Sequence, residues 1–89
     1  MYRVIWTEKA LGHLARAWAQ ANSNLQKSIA TAVHIIDQKL QTDPFNESES
    51  RSGDARRLFV PPLGVMIEVD EEKRNVRVVA AWRFRHQGE

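Results

Sequence analysis

The chain has 89 residues and no cysteine, and 43% of its residues are hydrophobic while 27% are charged. This length and composition predict one globular domain over residues 1–89 and exclude an intrinsically disordered chain. The absence of cysteine excludes disulfides and thiolate zinc sites, and no apolar run approaches the roughly 18 residues of a membrane span.

Charge and the N-terminal residues give further expectations about location and ligands. The stretch YRVIW indicates a strand rather than a signal peptide, so we expect a cytoplasmic protein with no membrane partner. The three histidines lack metal-ligand spacing, and we expect neither a metal nor a cofactor. The net charge is only +2, yet residues 73–89 hold five bases against one acid, and nine of the 13 cations are arginine. Because arginine binds phosphate and carboxylate bidentately, an anionic partner is indicated.

The first elements in chain order are a strand and a helix. Residues 2–6 alternate and are β-branched or aromatic, which predicts a short strand. Thr7 is a plausible N-cap with Glu8 in the first turn, and apolar residues at helical spacing predict a helix to about Ala21. The spaced residues are Leu11, Leu14, Ala15 and Trp18.

A second helix is predicted between Ser23, which forms a capping-box pattern with Gln26, and Pro44, which ends it. Its apolar stripe comprises Leu25, Ile29, Ala32, Val33, Ile36 and Leu40. Because few residues separate the two helices, they are expected to form an antiparallel hairpin.

The second half of the chain changes period from helix to strand. Residues 45–54 are polar and follow neither period, which predicts a loop. Three strands are predicted over ARRLFV, VMIEV and VRVVAAWRFR, separated by the turn sequences PPLG and DEEKRN. The order βααβββ therefore predicts an α+β fold in which the helical hairpin packs on one face of a small antiparallel sheet.

Strict alternation along the strands assigns their side chains to the two faces of this sheet. The residues predicted to face the helices are Leu58, Val60, Val65, Ile67, Val69, Val76, Val78, Ala80, Trp82 and Phe84. The outward residues include Arg57, Phe59, Met66, Glu68, Arg77, Val79, Ala81, Arg83 and Arg85. On this assignment the aromatic residues of the last strand fill the core and the arginines between them stand on the open face.

Two groups of residues make up the predicted binding surface. The basic group comprises Arg56, Arg57, Arg77, Arg83 and Arg85, with Arg3 beside it, and the apolar patch comprises Phe59, Met66, Val79 and Ala81. Arginines on a half-exposed sheet are often only a solvated face. The apolar patch favours instead a surface that a nucleic acid or a partner's peptide covers.

The histidines differ in their predicted roles. His13 and His34 lie off the apolar stripes of their helices and are expected to face solvent. His86 follows the basic end of the last strand and is a candidate catalytic proton donor, with a frayed tail residue as the alternative.

Several stretches together resemble the RelE/ParE superfamily of bacterial type II toxin-antitoxin toxins over nearly the whole chain. YRVIWTEKALGHL resembles the opening strand and first helix of the family, and DPF resembles the exit from its second helix. RRLFVPP and VRVVAAW resemble the central and C-terminal strands, with Arg56 and Leu58 matching the family's arginine and leucine. The resemblance implies a cognate antitoxin as partner and either DNA gyrase or the ribosome with its mRNA as target.

Two differences between this sequence and the motifs of the RelE/ParE superfamily bear on the choice of target. RNA-cleaving members commonly carry a Tyr-Arg pair where this chain has Leu63 and Gly64, and they often end with a tyrosine, whereas the only tyrosine here is Tyr2. The gyrase-directed branch also usually has an arginine at the position of Gly64. Metal-free cleavage needs a base, an acid and cations on the scissile phosphate.

Only part of that catalytic set is present. Arg57, Arg83 and Arg85 could supply cations and His86 the acid, but Glu68 is a poor base among arginines. The sequence therefore favours a ParE-like toxin that inhibits gyrase by binding. The alternatives are a ribosome-dependent mRNA endoribonuclease and a degenerate toxin fold that retains only antitoxin binding.

Overall fold

Two helices lie on one face of a five-stranded sheet in the computed structural model, which describes residues 1–50 and 55–84. The elements in chain order are β1 (Arg3–Trp6), α1 (Glu8–Ala19), α2 (Ser23–Thr42), α3 (Pro44–Glu47), β2 (Glu49–Ser50), β3 (Ala55–Val60), β4 (Leu63–Asp70) and β5 (Asn75–Arg83). Within this described part of the chain, no helix is both long and apolar enough to cross a membrane.

The strands are arranged in the order β1-β5-β4-β3-β2. Strands β2 to β5 pair antiparallel, which confirms the predicted α+β fold with its helices on one face of the sheet. Strand β1 differs from the expectation because it joins β5 in parallel, with Val4 opposite Val76. The sheet is therefore mixed, a feature that alternation cannot predict because alternation assigns faces and not neighbours.

Thr7 joins the start of α1 to the sheet. Its hydroxyl oxygen accepts a hydrogen bond from the backbone N–H of Ala10 at 3.2 Å, which confirms the predicted N-cap. The same hydroxyl and the Thr7 backbone N–H both donate to the carbonyl of Val78, each at 3.0 Å. The beginning of α1 is thereby fixed against the middle of β5.

The N-cap of α2 is Asn22, one residue earlier than predicted. Its side-chain oxygen accepts from the backbone N–H of Leu25 at 2.8 Å, so the proposed capping box of Ser23 with Gln26 is wrong. Gln26 instead donates its side-chain amide to the carbonyl of Trp18 at 3.0 Å, across the helical hairpin. The end of α2 at Thr42, before Pro44, agrees with the prediction.

Arg56 organises the segment that was predicted to be a loop. Its Nε donates to the Ser48 hydroxyl at 2.7 Å, and its Nη2 donates to the carbonyls of Phe45 and Ser48 at 2.9 and 3.0 Å. The guanidinium also lies over the Phe45 ring, 5.3 Å from its centroid. The order of α3 and β2 therefore depends on contacts with a side chain of the next long strand, β3, which the polarity of the segment itself does not reveal.

The core lies between the helices and the inner face of the sheet. Its buried residues are Ala10, Ile29, Ala32, Ile36, Leu40, Leu58, Val60, Leu63, Val65, Ile67, Val76, Val78 and Ala81. At its margin the Trp6 Nε1–H donates to the Asp37 carboxylate at 2.8 Å, which links the edge strand to α2. Most of the inward assignments made by alternation are confirmed, and the exceptions all lie beyond Val78.

Replacement of Arg56 by Gln should lower the free energy of unfolding by about 1.5–3 kcal/mol, because three charge-assisted hydrogen bonds are lost and Ser48 is left without its donor. The matched control is Arg77→Gln, which breaks an exposed ion pair with Glu68 and should cost less than about 1 kcal/mol. Urea unfolding followed by circular dichroism measures both. Equal losses from the two variants would contradict the structural role of Arg56.

Candidate functional site

An extra residue in β5 determines which side chains reach the open face of the sheet. Met66 of β4 stands opposite Ala80, whereas the next residue, Ile67, stands opposite Val78. Val79 is therefore the additional residue of a β-bulge. A bulge shifts the alternation by one position, so each side chain after it lies on the face opposite to the one that strict alternation predicts.

The bulge makes several of the face assignments wrong. Ala81 is buried in the core rather than exposed in the apolar patch. Arg83 lies on the helix side, where it lines a cleft with residues of α1 and is absent from the open face. Trp82 lies instead on the open face, and Ala80 stands there opposite Met66.

An aromatic cluster of Phe59, Trp82 and Phe84 occupies this open face. The Phe59 ring is the centre of the cluster, with ring centroids 6.1 Å from Trp82 and 5.1 Å from Phe84 and interplanar angles of 77° and 79°. These are edge-to-face arrangements, which aromatic pairs prefer. The expectation that Trp82 and Phe84 fill the core is therefore wrong, and 39% of the Phe59 surface remains exposed.

Gly64 provides the space that the Trp82 ring occupies. The two residues are direct neighbours on β4 and β5, and Phe59 is the neighbour of Gly64 on β3. A Cβ atom at position 64 would lie 2.6 Å from the indole Cε2. Since carbon atoms do not approach so closely, any side chain larger than hydrogen would have to displace the indole.

Charged residues surround the aromatic cluster, but the predicted basic surface is only partly formed. Arg57 and Arg77 lie on the open face, and Arg77 forms a 2.8 Å ion pair with Glu68. The buried Nε atom of Arg57 has no hydrogen-bond partner among the residues that the structure describes. Arg3, at the edge of the same sheet, is exposed.

The remaining predicted site residues lie elsewhere. Arg56 contacts α3, and Arg83 lies on the helix side, as described above. Arg85 and His86 lie outside the described residues, so their predicted roles stay predictions. Of the apolar patch, Phe59 and Met66 lie on the open face, where alternation predicted them, and Val79 is the half-buried residue of the bulge.

His13 has a structural contact that sequence reasoning missed. It is half-buried, and its Nδ1 accepts a hydrogen bond from the backbone N–H of Ala81 at 3.2 Å, so the expectation of a solvent-facing side chain is wrong. Strand β1 pairs with β5 only as far as Val78. Beyond Val78 this edge of β5 has no neighbouring strand among the described residues, and α1 lies against it instead. His34 is exposed, as expected. His13 can bind the Ala81 N–H because β1 ends before Ala81, and nothing in the sequence predicts that β1 runs alongside β5 only to this point.

Solved bacterial toxin-antitoxin structures have a similar fold. A chain of the RelBE2 toxin-antitoxin complex from Mycobacterium tuberculosis has a TM-score of 0.71 and 15% identity over 99% of this chain and 93% of that chain. A chain of the chromosomal ParDE system from P. aeruginosa has a TM-score of 0.68 and 15% identity over 96% of this chain and 98% of that chain. The isolated E. coli RelE toxin has a TM-score of 0.62 and 15% identity over 99% and 89% of the respective chains.

The chain has the RelE/ParE toxin fold. No family model matches its sequence, and no curated protein matches it. The resemblance seen in its short sequence motifs is thus confirmed at the level of fold.

Gly64 and Trp82 mark the departure of this chain from the pattern that the RelE/ParE resemblance implies. The resemblance places an arginine at position 64, whereas here a glycine stands beneath an indole ring. This part of the open face is consequently apolar and aromatic rather than cationic. Among the described residues, no cluster of three or more His, Asp or Glu side chains is arranged to hold a metal.

Gly64→Ala should lower the free energy of unfolding by about 1–3 kcal/mol, because the new methyl group forces the Trp82 indole from its position. In a Trp82→Ala background the same change should be neutral or stabilising by up to about 1 kcal/mol, since glycine weakens a strand when no ring covers it. A double-mutant cycle measured by urea unfolding checks the coupling. Additive effects of the two substitutions would show that the ring does not depend on Gly64.

Proposed function

We propose that the chain is the toxin of a type II toxin-antitoxin module and that it acts in a ParE-like manner, by binding DNA gyrase through its open sheet face. The observation that carries the binding mechanism is the aromatic cluster over Gly64. Where the resemblance implies an arginine for both branches of the family, this chain presents an indole ring and an exposed phenyl ring.

The proposal of an antitoxin partner is supported by two observations. Similar solved structures include toxin-antitoxin complexes, among them RelBE2 and the intact E. coli RelBE complex. The open face also exposes large apolar side chains, including Phe59 and Ile5, at 39% and 38%. Apolar surface of this kind on a small protein is commonly covered by a partner.

The charges on the open face support binding rather than cleavage. RNA cleavage without a metal needs a general base and a general acid at the scissile phosphate. Three carboxylates of the described strands lie on this face. Glu68 is ion-paired with Arg77, Glu49 stands opposite Arg57, and Asp70 accepts a hydrogen bond from the Lys73 backbone N–H in the turn after β4. No histidine lies on this face among the described residues, and His86 falls outside them. A target bound by aromatic contacts needs none of these catalytic groups.

Phe59→Ala should abolish or strongly weaken growth inhibition when the chain is expressed without antitoxin. Truncating a central aromatic residue of an interface typically costs about 2 kcal/mol or more, which is about thirtyfold in affinity. Phe45→Ala is the matched control, because both rings are 39% exposed and Phe45 lies in α3 away from the open face. Gyrase supercoiling assays with the two purified variants and the parent provide the direct measurement.

The same experiment distinguishes the alternatives. His86→Ala is expected to leave growth inhibition intact, and primer extension on translated messages is expected to show no new cuts. Codon-phased cuts that disappear in His86→Ala would favour the ribonuclease. A parent protein that inhibits neither growth nor gyrase while still binding an antitoxin would favour the degenerate toxin fold.

A further inference from the structure

A second candidate site lies on the helix side of the sheet, away from the aromatic cluster's open face. Here α1, the start of α2 and the end of β5 line an open cleft of about 270 Å³. The residues that line it are His13, Arg16, Ala17 and Gln20 of α1, Leu25 of α2, and Ala81, Trp82 and Arg83 of β5. A cleft of this volume that opens to solvent has room for a small anionic group while the molecule that carries the group extends outside.

The cleft is electropositive because two arginines line it without counter-ions. Arg16 and Arg83 are both exposed, and neither guanidinium group has an ion pair or hydrogen bond within residues 1–50 and 55–84. No carboxylate is among the described residues that line the cleft. Two guanidinium groups that share a concave surface repel each other, and an anion between them would relieve that repulsion while accepting several charge-assisted hydrogen bonds.

His13 adds a third hydrogen-bond donor to the cleft, and its contact with Ala81 determines which ring nitrogen carries the proton. Its Nδ1 accepts the Ala81 N–H, so in the neutral ring the proton is on Nε2, and that nitrogen is a hydrogen-bond donor. The backbone contact also holds the imidazole in place. The bulge at Val79 is responsible for the arrangement, because it turns Arg83 to the side on which α1 carries His13 and Arg16.

We propose that this cleft binds a phosphate group, as carried by a nucleotide or a single-stranded nucleic acid. Three donor groups around one cleft suit a tetrahedral anion with several acceptor oxygens better than a planar carboxylate with two. An acidic peptide is therefore the less suitable occupant. The cleft opens on the helix side of the sheet, so the proposal does not depend on which target the open face binds, although Trp82 is common to the cleft lining and the aromatic cluster.

The test is a titration of the ¹⁵N-labelled full chain, followed by NMR at the Ala81 amide and the His13 ring nitrogens. Separate arms use inorganic phosphate, AMP, a single-stranded hexanucleotide and a glutamate-rich peptide. The expected result is saturable shifts of the Ala81 and His13 signals with the phosphate-bearing probes, and the tightest of these identifies the source of the phosphate.

Charge-matched variants distinguish a specific phosphate site from non-specific electrostatic attraction between the basic protein and an anionic probe. Arg16→Gln and Arg83→Gln should each weaken binding of the phosphate-bearing probes by at least about tenfold, because each removes charge-assisted hydrogen bonds. Lys73→Gln removes the same unit charge in the turn before β5 and should leave the affinity unchanged. Both arginines are exposed, so the variants should fold, as circular dichroism will check.

Three outcomes would overturn the proposal. These are the absence of saturable shifts at Ala81 and His13, phosphate binding that both arginine variants retain, and binding of the glutamate-rich peptide in preference to every phosphate-bearing probe.

Discussion

The position of one extra residue, Val79 in β5, determines both surfaces of this protein. Before the bulge, Val76 and Val78 are buried against the helices as strict alternation requires. After it, Trp82 joins Phe59 on the open face and Arg83 turns toward α1. The aromatic cluster and the cationic cleft are therefore consequences of the same local irregularity, in agreement with the frequent role of bulges in redirecting side chains at functional sites.

Two contacts accommodate the bulge and the residues beyond it. On the open face Gly64 leaves room for the indole of Trp82, which a β-carbon would exclude. On the sheet edge His13 accepts the Ala81 N–H that β1 no longer reaches, so a backbone donor at the end of the strand is satisfied by a helix side chain. His13, which the sequence predicted to face solvent, thus has a structural contact, and the same residue also lines the cleft.

Local sequence patterns were sufficient to predict much of the fold. Helical spacing predicted α1 and α2, Thr7 was correctly predicted as an N-cap, and alternation assigned the faces of β3, β4 and the first half of β5. The parallel pairing of β1 and the contact of His13 with Ala81 depend on residues far apart in sequence, and the ordering of α3 depends on a side chain of the following strand β3, Arg56. The bulge was missed because an extra residue changes no local composition or propensity, yet it reverses every later assignment in its strand.

The face occupied by Trp82 is the central claim, and NMR measures it most directly. In a NOESY spectrum of the folded chain, the Trp82 indole protons should show cross-peaks to the Phe59 ring and to the Gly64 α-protons. Strict alternation would instead place the indole among the core side chains beneath the helices. Cross-peaks from the Trp82 ring to the methyl groups of Ile29 and Ile36, with none to Gly64, would contradict the bulge and the two surfaces that depend on it.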